Sequence, residues 1–131
     1  MNAIGAFFRR LWAAVAYVLR GLALRPLRKR ILFHSVRVQE FPDKLDRAMV
    51  YLAGEGYNLW AAAMICPCGC GDVIELNLLK RARPCWGVQE HSDGTITLAP
   101  SVWRQKGCRS HFILRRGRID WCNAGPSDQV T

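Results

Sequence analysis

The sequence predicts an α+β fold, mainly β, in which one amphipathic helix precedes a compact antiparallel β domain. Two observations predict this. Apolar residues recur at steps of three or four over residues 3–24, which is the helical period, and from residue 31 onward the period becomes two, as in strands. Glycine-rich turn sequences also separate short runs that are rich in β-branched and aromatic residues. We therefore expect a helical arm followed by a domain of short strands.

The helix is predicted to be basic and amphipathic. Arg9 and Arg20 fall on the face opposite the apolar one, and the Arg25-Pro26 pair ends the helix. Such a helix could pack on its own domain or a sister subunit, or attach to an anionic membrane surface. The apolar face comprises Ile4, Phe7, Leu11, Val15, Val18 and Leu22.

Positive charge is concentrated in this arm. Residues 1–30 contain seven of the nineteen Lys and Arg residues and no acid, whereas residues 31–131 carry twelve bases against ten acids. That near balance, without a basic stripe interleaved with aromatic residues, argues against nucleic acid as a partner. The predicted segments are the arm at 1–30, a β-rich domain at 31–122 and a polar tail at 123–131.

Eight strands are expected in the β-rich domain, with one helical turn at 41–47. Gly54-Glu55-Gly56, Ser92-Asp93-Gly94 and Arg116-Gly117 supply the turn chemistry between them. The predicted strands are Ile31–Glu40, Ala48–Ala53, Leu59–Ile65, Asp72–Leu79, Trp86–Glu90, Thr95–Leu98, Phe112–Leu114 and Arg118–Trp121.

The six cysteines suit a reducing compartment better than a disulfide framework. The run Cys66-Pro67-Cys68-Gly69-Cys70 packs three thiols into five residues, a spacing that favours a metal. The apolar stretch 11–19 is followed by arginines rather than a cleavage site, and it is too short to span a bilayer. We predict a cytoplasmic protein, which the arm could attach to a membrane.

Two short motifs predict one zinc ion, held by Cys68, Cys70, Cys108 and His111. A C-x-C pair in one loop and a C-x-x-H pair about forty residues later supply two ligands each, and together they complete a tetrahedral shell. The first pair has a flexible glycine between its thiols, whereas a proline separates Cys66 from its neighbour, so Cys66 is the reserve ligand that could replace Cys68 or Cys70.

The remaining thiols and imidazoles have simpler interpretations. Cys85 and Cys122 stand beside tryptophans and are expected to be small core residues, and His34 and His91 are interpreted in the same way. A Rieske-type two-iron site stays a weaker alternative for the C-x-x-H motif, because the first loop offers cysteines only.

Several motifs, taken in order, resemble a small bacterial family of unknown function. Its genes are often found beside those for ubiquitin-like proteins with their activating and conjugating enzymes. The resemblance covers roughly His34 to Trp121, and the arm before residue 31 and the thiols of Cys66 and Cys85 lie outside its pattern. The matching motifs are Cys68-Gly69-Cys70-Gly71, Trp86, Asp93-Gly94, Thr97–Ser101, Cys108-Arg109-Ser110-His111-Phe112 and Arg118–Trp121.

The resemblance implies a zinc-binding, β-rich accessory protein that docks the ubiquitin-like protein or its conjugating enzyme. The alternative is a peptidase that processes or deconjugates the ubiquitin-like protein. For that activity the sequence offers Ser101 or Ser110 as nucleophile, with His91 as base and Asp93 to orient it.

Overall fold

The computed structural model describes residues 12–17 and 30–122 of the chain. The chain divides into two units, residues 1–30 and residues 31–131. In the first unit residues 12–17 are helical, and the rest of the predicted helix at 3–24 lies outside the described residues, as does the predicted tail at 123–131. No helix within the described ranges is long and apolar enough to cross a membrane.

The second unit contains two four-stranded sheets, and the mainly β fold is confirmed. The first sheet has the order β1-β2-β3-β4 and the second the order β5-β6-β7-β8. Neighbouring strands pair antiparallel except for β1 and β2, which pair parallel. The strands are β1 (His34–Val38), β2 (Met49–Glu55), β3 (Asn58–Ile65), β4 (Val73–Asn77), β5 (Gly87–Glu90), β6 (Ile96–Trp103), β7 (His111–Arg115) and β8 (Arg118–Trp121).

The segment between β1 and β2 differs from the expected helical turn at 41–47. It forms bends and a turn instead, and Leu45 from this segment is buried against Tyr51 and Ala63 of the first sheet. A connection that crosses the sheet in this way returns the chain to the end where β1 began, so β2 can run parallel to β1. The helical-turn prediction was wrong because burial of Leu45 decides this conformation.

Alternating residues of both sheets form one apolar core. Alternate residues of β2, β3, β6 and β7 face this core, whereas Tyr51 and Ala63 are buried on the other face of the first sheet, beside Leu45. Sheets that bury one face each against the other make a sandwich-like core. The most deeply buried side chains are Val50, Leu52, Met64, Cys66, Ile96, Leu98, Phe112 and Leu114.

A hydrogen-bonded ion pair connects the edge strands of the two sheets. The guanidinium of Arg37 on β1 donates to the carboxylate of Glu90 on β5, with Nε 3.1 Å from Oε2, and Ser35 Oγ donates to the other carboxylate oxygen at 3.0 Å. These bonds favour the charged form, so the hydrogen bond from Arg37 lowers the pKa of Glu90.

We expect Glu90→Gln to lower the free energy of unfolding by about 0.5 to 1 kcal/mol at pH 7, since both partners are partly exposed. Because the folded-state pKa of Glu90 is lowered, its contribution is complete above the ordinary value of 4.5 and is lost as pH falls through the lowered pKa. Urea unfolding should therefore show a difference in the free energy of unfolding between wild type and Glu90→Gln at pH 7, and this difference should disappear at about pH 3. Glu55→Gln, at an exposed position, is the control, and a difference that persists in acid contradicts the ion-pair explanation.

Candidate active site and cysteine cluster

A bulge in β6 presents Ser101. The three residues 99–101 of β6 stand opposite a single residue of β7, Ile113, so the register between these strands shifts here. Extra residues of this kind leave one strand locally unpaired and redirect its side chains, and a proline is tolerated at such a position. The sequence Ala99-Pro100-Ser101 therefore forms the bulge, and Ser101, two residues before Trp103, lies on the face of the sheet that carries His111.

The hydroxyl of Ser101 meets the imidazole of His111, which is the first residue of β7. Ser101 Oγ lies 3.0 Å from His111 Nε2, within hydrogen-bond distance. The indole N–H of Trp86 donates to the carbonyl oxygen of Ser101 at 3.3 Å and so helps to hold the bulge. A serine whose Oγ is hydrogen-bonded to Nε2 of a histidine has the arrangement of an activated nucleophile and its general base. We call Ser101 and His111 the dyad.

A separate group of four thiols lies at the loops before β4 and β7. The Sγ atoms of Cys66, Cys68, Cys70 and Cys108 all lie within 4.8 Å of one another. Cys66 Sγ is 3.4 Å from Cys68 Sγ and 3.7 Å from Cys108 Sγ. A tetrahedral ion with metal–sulfur bonds of about 2.3 Å separates its ligands by about 3.8 Å. This cysteine cluster could therefore hold a metal ion.

Hydrogen bonds prepare one cluster thiol for ionisation more than the others. The Ser110 hydroxyl and the Ser110 backbone N–H lower the pKa of Cys108 to about 6. At Cys70 the N–H of Asp72 favours the thiolate, but the neighbouring thiols and desolvation outweigh it and raise the pKa to about 12. Burial raises the pKa of Cys66. Simultaneous ionisation of four adjacent thiols thus requires a strong local positive charge, which a metal ion supplies.

Arg104 provides further positive charge beside the cluster. Its guanidinium Nη1 donates to Cys108 Sγ at 3.1 Å and to Cys70 Sγ at 3.5 Å, while Nη2 donates to Asp72 Oδ2 at 3.1 Å. The bond to Asp72 is the main reason that the pKa of Arg104 is raised. This side chain therefore spans the two cysteine loops and partly neutralises their thiolates.

The structure brings together three of the four predicted metal ligands and places the fourth, His111, beside Ser101. Cys68, Cys70 and Cys108 lie in the cluster, but its fourth member is Cys66, the reserve ligand, and His111 lies at Ser101. Ser110 directly precedes His111, the first residue of β7, and its carbonyl oxygen continues the pairing with β6, so the two side chains point to opposite faces. The hydroxyl of Ser110 accordingly faces the cluster, 3.1 Å from Cys108 Sγ, and the imidazole faces away from it.

The other candidate catalytic residues lie elsewhere. Ser110 is buried against the cysteine cluster. His91 Nε2 is 2.8 Å from Thr97 Oγ1, and Asp93 Oδ1 accepts hydrogen bonds from the backbone N–H and the hydroxyl of Thr95. His91 and Asp93 therefore form the β5–β6 turn, and the structure gives neither of them a hydrogen bond to Ser101 or Ser110.

Comparison with known proteins identifies a family for this chain. Residues 37–122, about two thirds of the chain, match the family described as "Bacterial ubiquitination-like system serine protease (BubE)". The matched range includes the dyad and the whole cysteine cluster. No curated protein and no solved structure matches the chain. The predicted connection with a bacterial ubiquitin-like system is confirmed, and the chain belongs to the BubE family.

Proposed function

We propose that this chain is a serine peptidase that cleaves the ubiquitin-like protein of a bacterial ubiquitination-like system, either from a precursor or from a conjugate. The observation that carries the proposal is the 3.0 Å contact between Ser101 Oγ and His111 Nε2. The family description, which names a serine protease, supports it. The sequence offers this activity as the alternative to docking, with Ser101 as one of two candidate nucleophiles.

The dyad can perform acyl transfer in two steps. His111 Nε2 accepts the hydroxyl proton while Ser101 Oγ bonds to the scissile carbonyl carbon, and the imidazolium then gives that proton to the departing amine as the C–N bond breaks. The products are the free amine and an acyl ester on Ser101. Water attacks the ester with His111 again as general base, which releases the carboxylate and restores the serine hydroxyl.

We further propose that the cysteine cluster binds zinc with a structural role. Four thiolates fill a tetrahedral shell and leave no open position for water, so a zinc ion there would stabilise the fold and would not act as a Lewis acid. The S···S distances fit such a shell, and Arg104 offsets part of the negative charge of four thiolates on a divalent ion. This ligand set contains Cys66 in place of His111.

The family's pathway suggests the partners of this protein, and its free cysteines suggest a reducing location. We propose the ubiquitin-like protein as substrate, with its activating and conjugating enzymes acting in the same pathway. A protein that docks these partners without cleaving them is the alternative function. All six cysteines are free thiols, which a reducing cytoplasm maintains. Attachment of the arm to a membrane surface stays a prediction.

The proposal is tested with a fluorophosphonate probe and a bacterial ubiquitin-like precursor that carries a C-terminal extension. We expect the probe to label one serine, identified as Ser101 by peptide mass spectrometry, and intact mass to show removal of the extension. Ser92→Ala, which changes an exposed turn serine, is the control and should be labelled like wild type. Binding of the precursor without labelling or cleavage would reject the peptidase and favour a docking protein.

A further inference from the structure

We propose that Trp103 is a positioning residue for the dyad, with its indole face taking the place that a carboxylate has in a Ser-His-Asp triad. This inference rests on the proposed function. In such a triad the carboxylate holds the imidazole in orientation and stabilises the imidazolium that forms during proton transfer. A stacked indole can do both, because it restricts rotation of the ring and its negative π face attracts a cation.

The strand register fixes the contact. Trp103 on β6 is directly opposite His111 on β7, and the ring centroids lie 5.1 Å apart with an interplanar angle of 18°. The next pair along the ladder, Val102 and Phe112, is buried in the core, so Trp103 and His111 lie on the other face of the sheet. The indole thus covers one face of the imidazole, whose edge contacts Ser101.

Within residues 30–122, no carboxylate hydrogen-bonds to His111. The only side chain in hydrogen-bond contact with its imidazole there is Ser101. Two acids from the surrounding elements have other partners, since Asp72 accepts from Arg104 and Asp120 lies 4.0 Å from Arg115. The charge that His111 acquires when it takes the serine proton is therefore not balanced by an acid among these residues.

The flanking ionisable groups do not provide that balance. Arg104 follows Trp103 in the chain, but its guanidinium is directed to Asp72 and the cysteine cluster. Cys122 stands opposite His111 on the other side, and its backbone N–H donates to the carbonyl oxygen of His111 at 2.9 Å. The guanidinium is a cation, and Cys122 contacts His111 through its backbone N–H, so within residues 30–122 the stacked indole is the group placed to favour the imidazolium.

Trp103→Leu tests the inference, because leucine keeps an apolar side chain and removes the π face. We expect kcat/KM for the precursor to fall about tenfold, through kcat rather than KM, within the range of a cation–π contact. The imidazolium also becomes less stable, so the ascending limb of the pH–rate profile should move to lower pH. Trp103→Phe restores a π face and should recover most of both effects.

Trp60→Leu is the matched control, since Trp60 is an exposed tryptophan on the other sheet, 41 % accessible against 50 % for Trp103. It should change neither kcat nor the pH profile. Wild-type kcat and pH profile in Trp103→Leu, or a Phe variant no better than the Leu variant, would overturn the inference. If Trp103→Leu fails to fold, as judged by circular dichroism, the pH profiles of Trp103→Tyr and Trp103→Phe are compared with that of wild type. Both variants keep a π face, so an ascending limb that moves to lower pH in either of them also overturns the inference.

The same variants separate this inference from the proposed function. NMR of the imidazole C–H protons of His111 follows its titration without any substrate, and the midpoint should be lower in Trp103→Leu than in wild type. Absence of cleavage by wild type, with the midpoint shift present, rejects the peptidase and keeps the stacking role. Cleavage by wild type with identical midpoints in both proteins rejects the stacking role alone.

Discussion

Ser101→Ala is expected to abolish cleavage, with kcat/KM lowered by about 10⁴-fold or more, as for nucleophile removal in serine peptidases. Alanine removes the Oγ atom that attacks the carbonyl and leaves water as the only nucleophile. His111→Ala should cost about as much, because a serine hydroxyl without its base is a weak nucleophile. The double variant should be no worse than either single one, since the two residues act as a unit.

Precursor cleavage by intact mass and labelling by a fluorophosphonate check these expectations. Ser101 is only half-buried and its hydroxyl contacts His111, so alanine should leave the melting temperature and the metal content unchanged. Ser92→Ala is again the control. Cleavage that persists in Ser101→Ala would show that the dyad is not the catalytic unit. So would a double variant whose fold-decrease in kcat/KM equals the product of the two single decreases.

Most of the fold could be predicted because strand alternation is a local property. All eight predicted strands exist with their ends shifted by a few residues, except that β6 continues to Trp103 where the prediction ended at Leu98. The proline at position 100 normally argues against a strand interior. Here a bulge accommodates it, and recognising a bulge requires the register with β7, which the sequence alone does not contain.

The site was harder to predict because two different patterns overlap at one place. A C-x-x-H motif favours a metal loop that includes His111, but the apolar run that starts at Phe112 extends the strand back to His111. Strand alternation then separates the side chains of Ser110 and His111. Ser101 and His111 are ten residues apart, and only the pairing of β6 with β7 brings them into contact. The buried position of Cys66 at the end of β3 likewise depends on the sheet.

Removal of one cluster thiol is expected to have the largest effect on stability. If the cluster binds zinc as proposed, Cys66→Ser should lose the metal and lower the free energy of unfolding by about 5 kcal/mol or more, because binding of a structural ion contributes directly to folding. Cys66 is buried, and its Sγ lies near Cys68, Cys108 and Ser110. A chelator added to wild type should produce the same loss. Elemental analysis and thermal unfolding measure the two effects, and Cys85→Ser, outside the cluster, is the control.

His111→Ala decides which ligand set is right. If the metal is held by the four cysteines, this variant keeps one zinc per chain and its melting temperature but loses cleavage, because the imidazole serves Ser101. Cys66→Ser should then lose the zinc and have a lower melting temperature. Its loss of cleavage would be a consequence of unfolding. If His111→Ala loses the zinc while Cys66→Ser retains it, the set Cys68, Cys70, Cys108 and His111 predicted from the motifs is correct. That result would also remove the general base from the proposed mechanism, because a histidine bound to zinc through Nε2 cannot accept the serine proton.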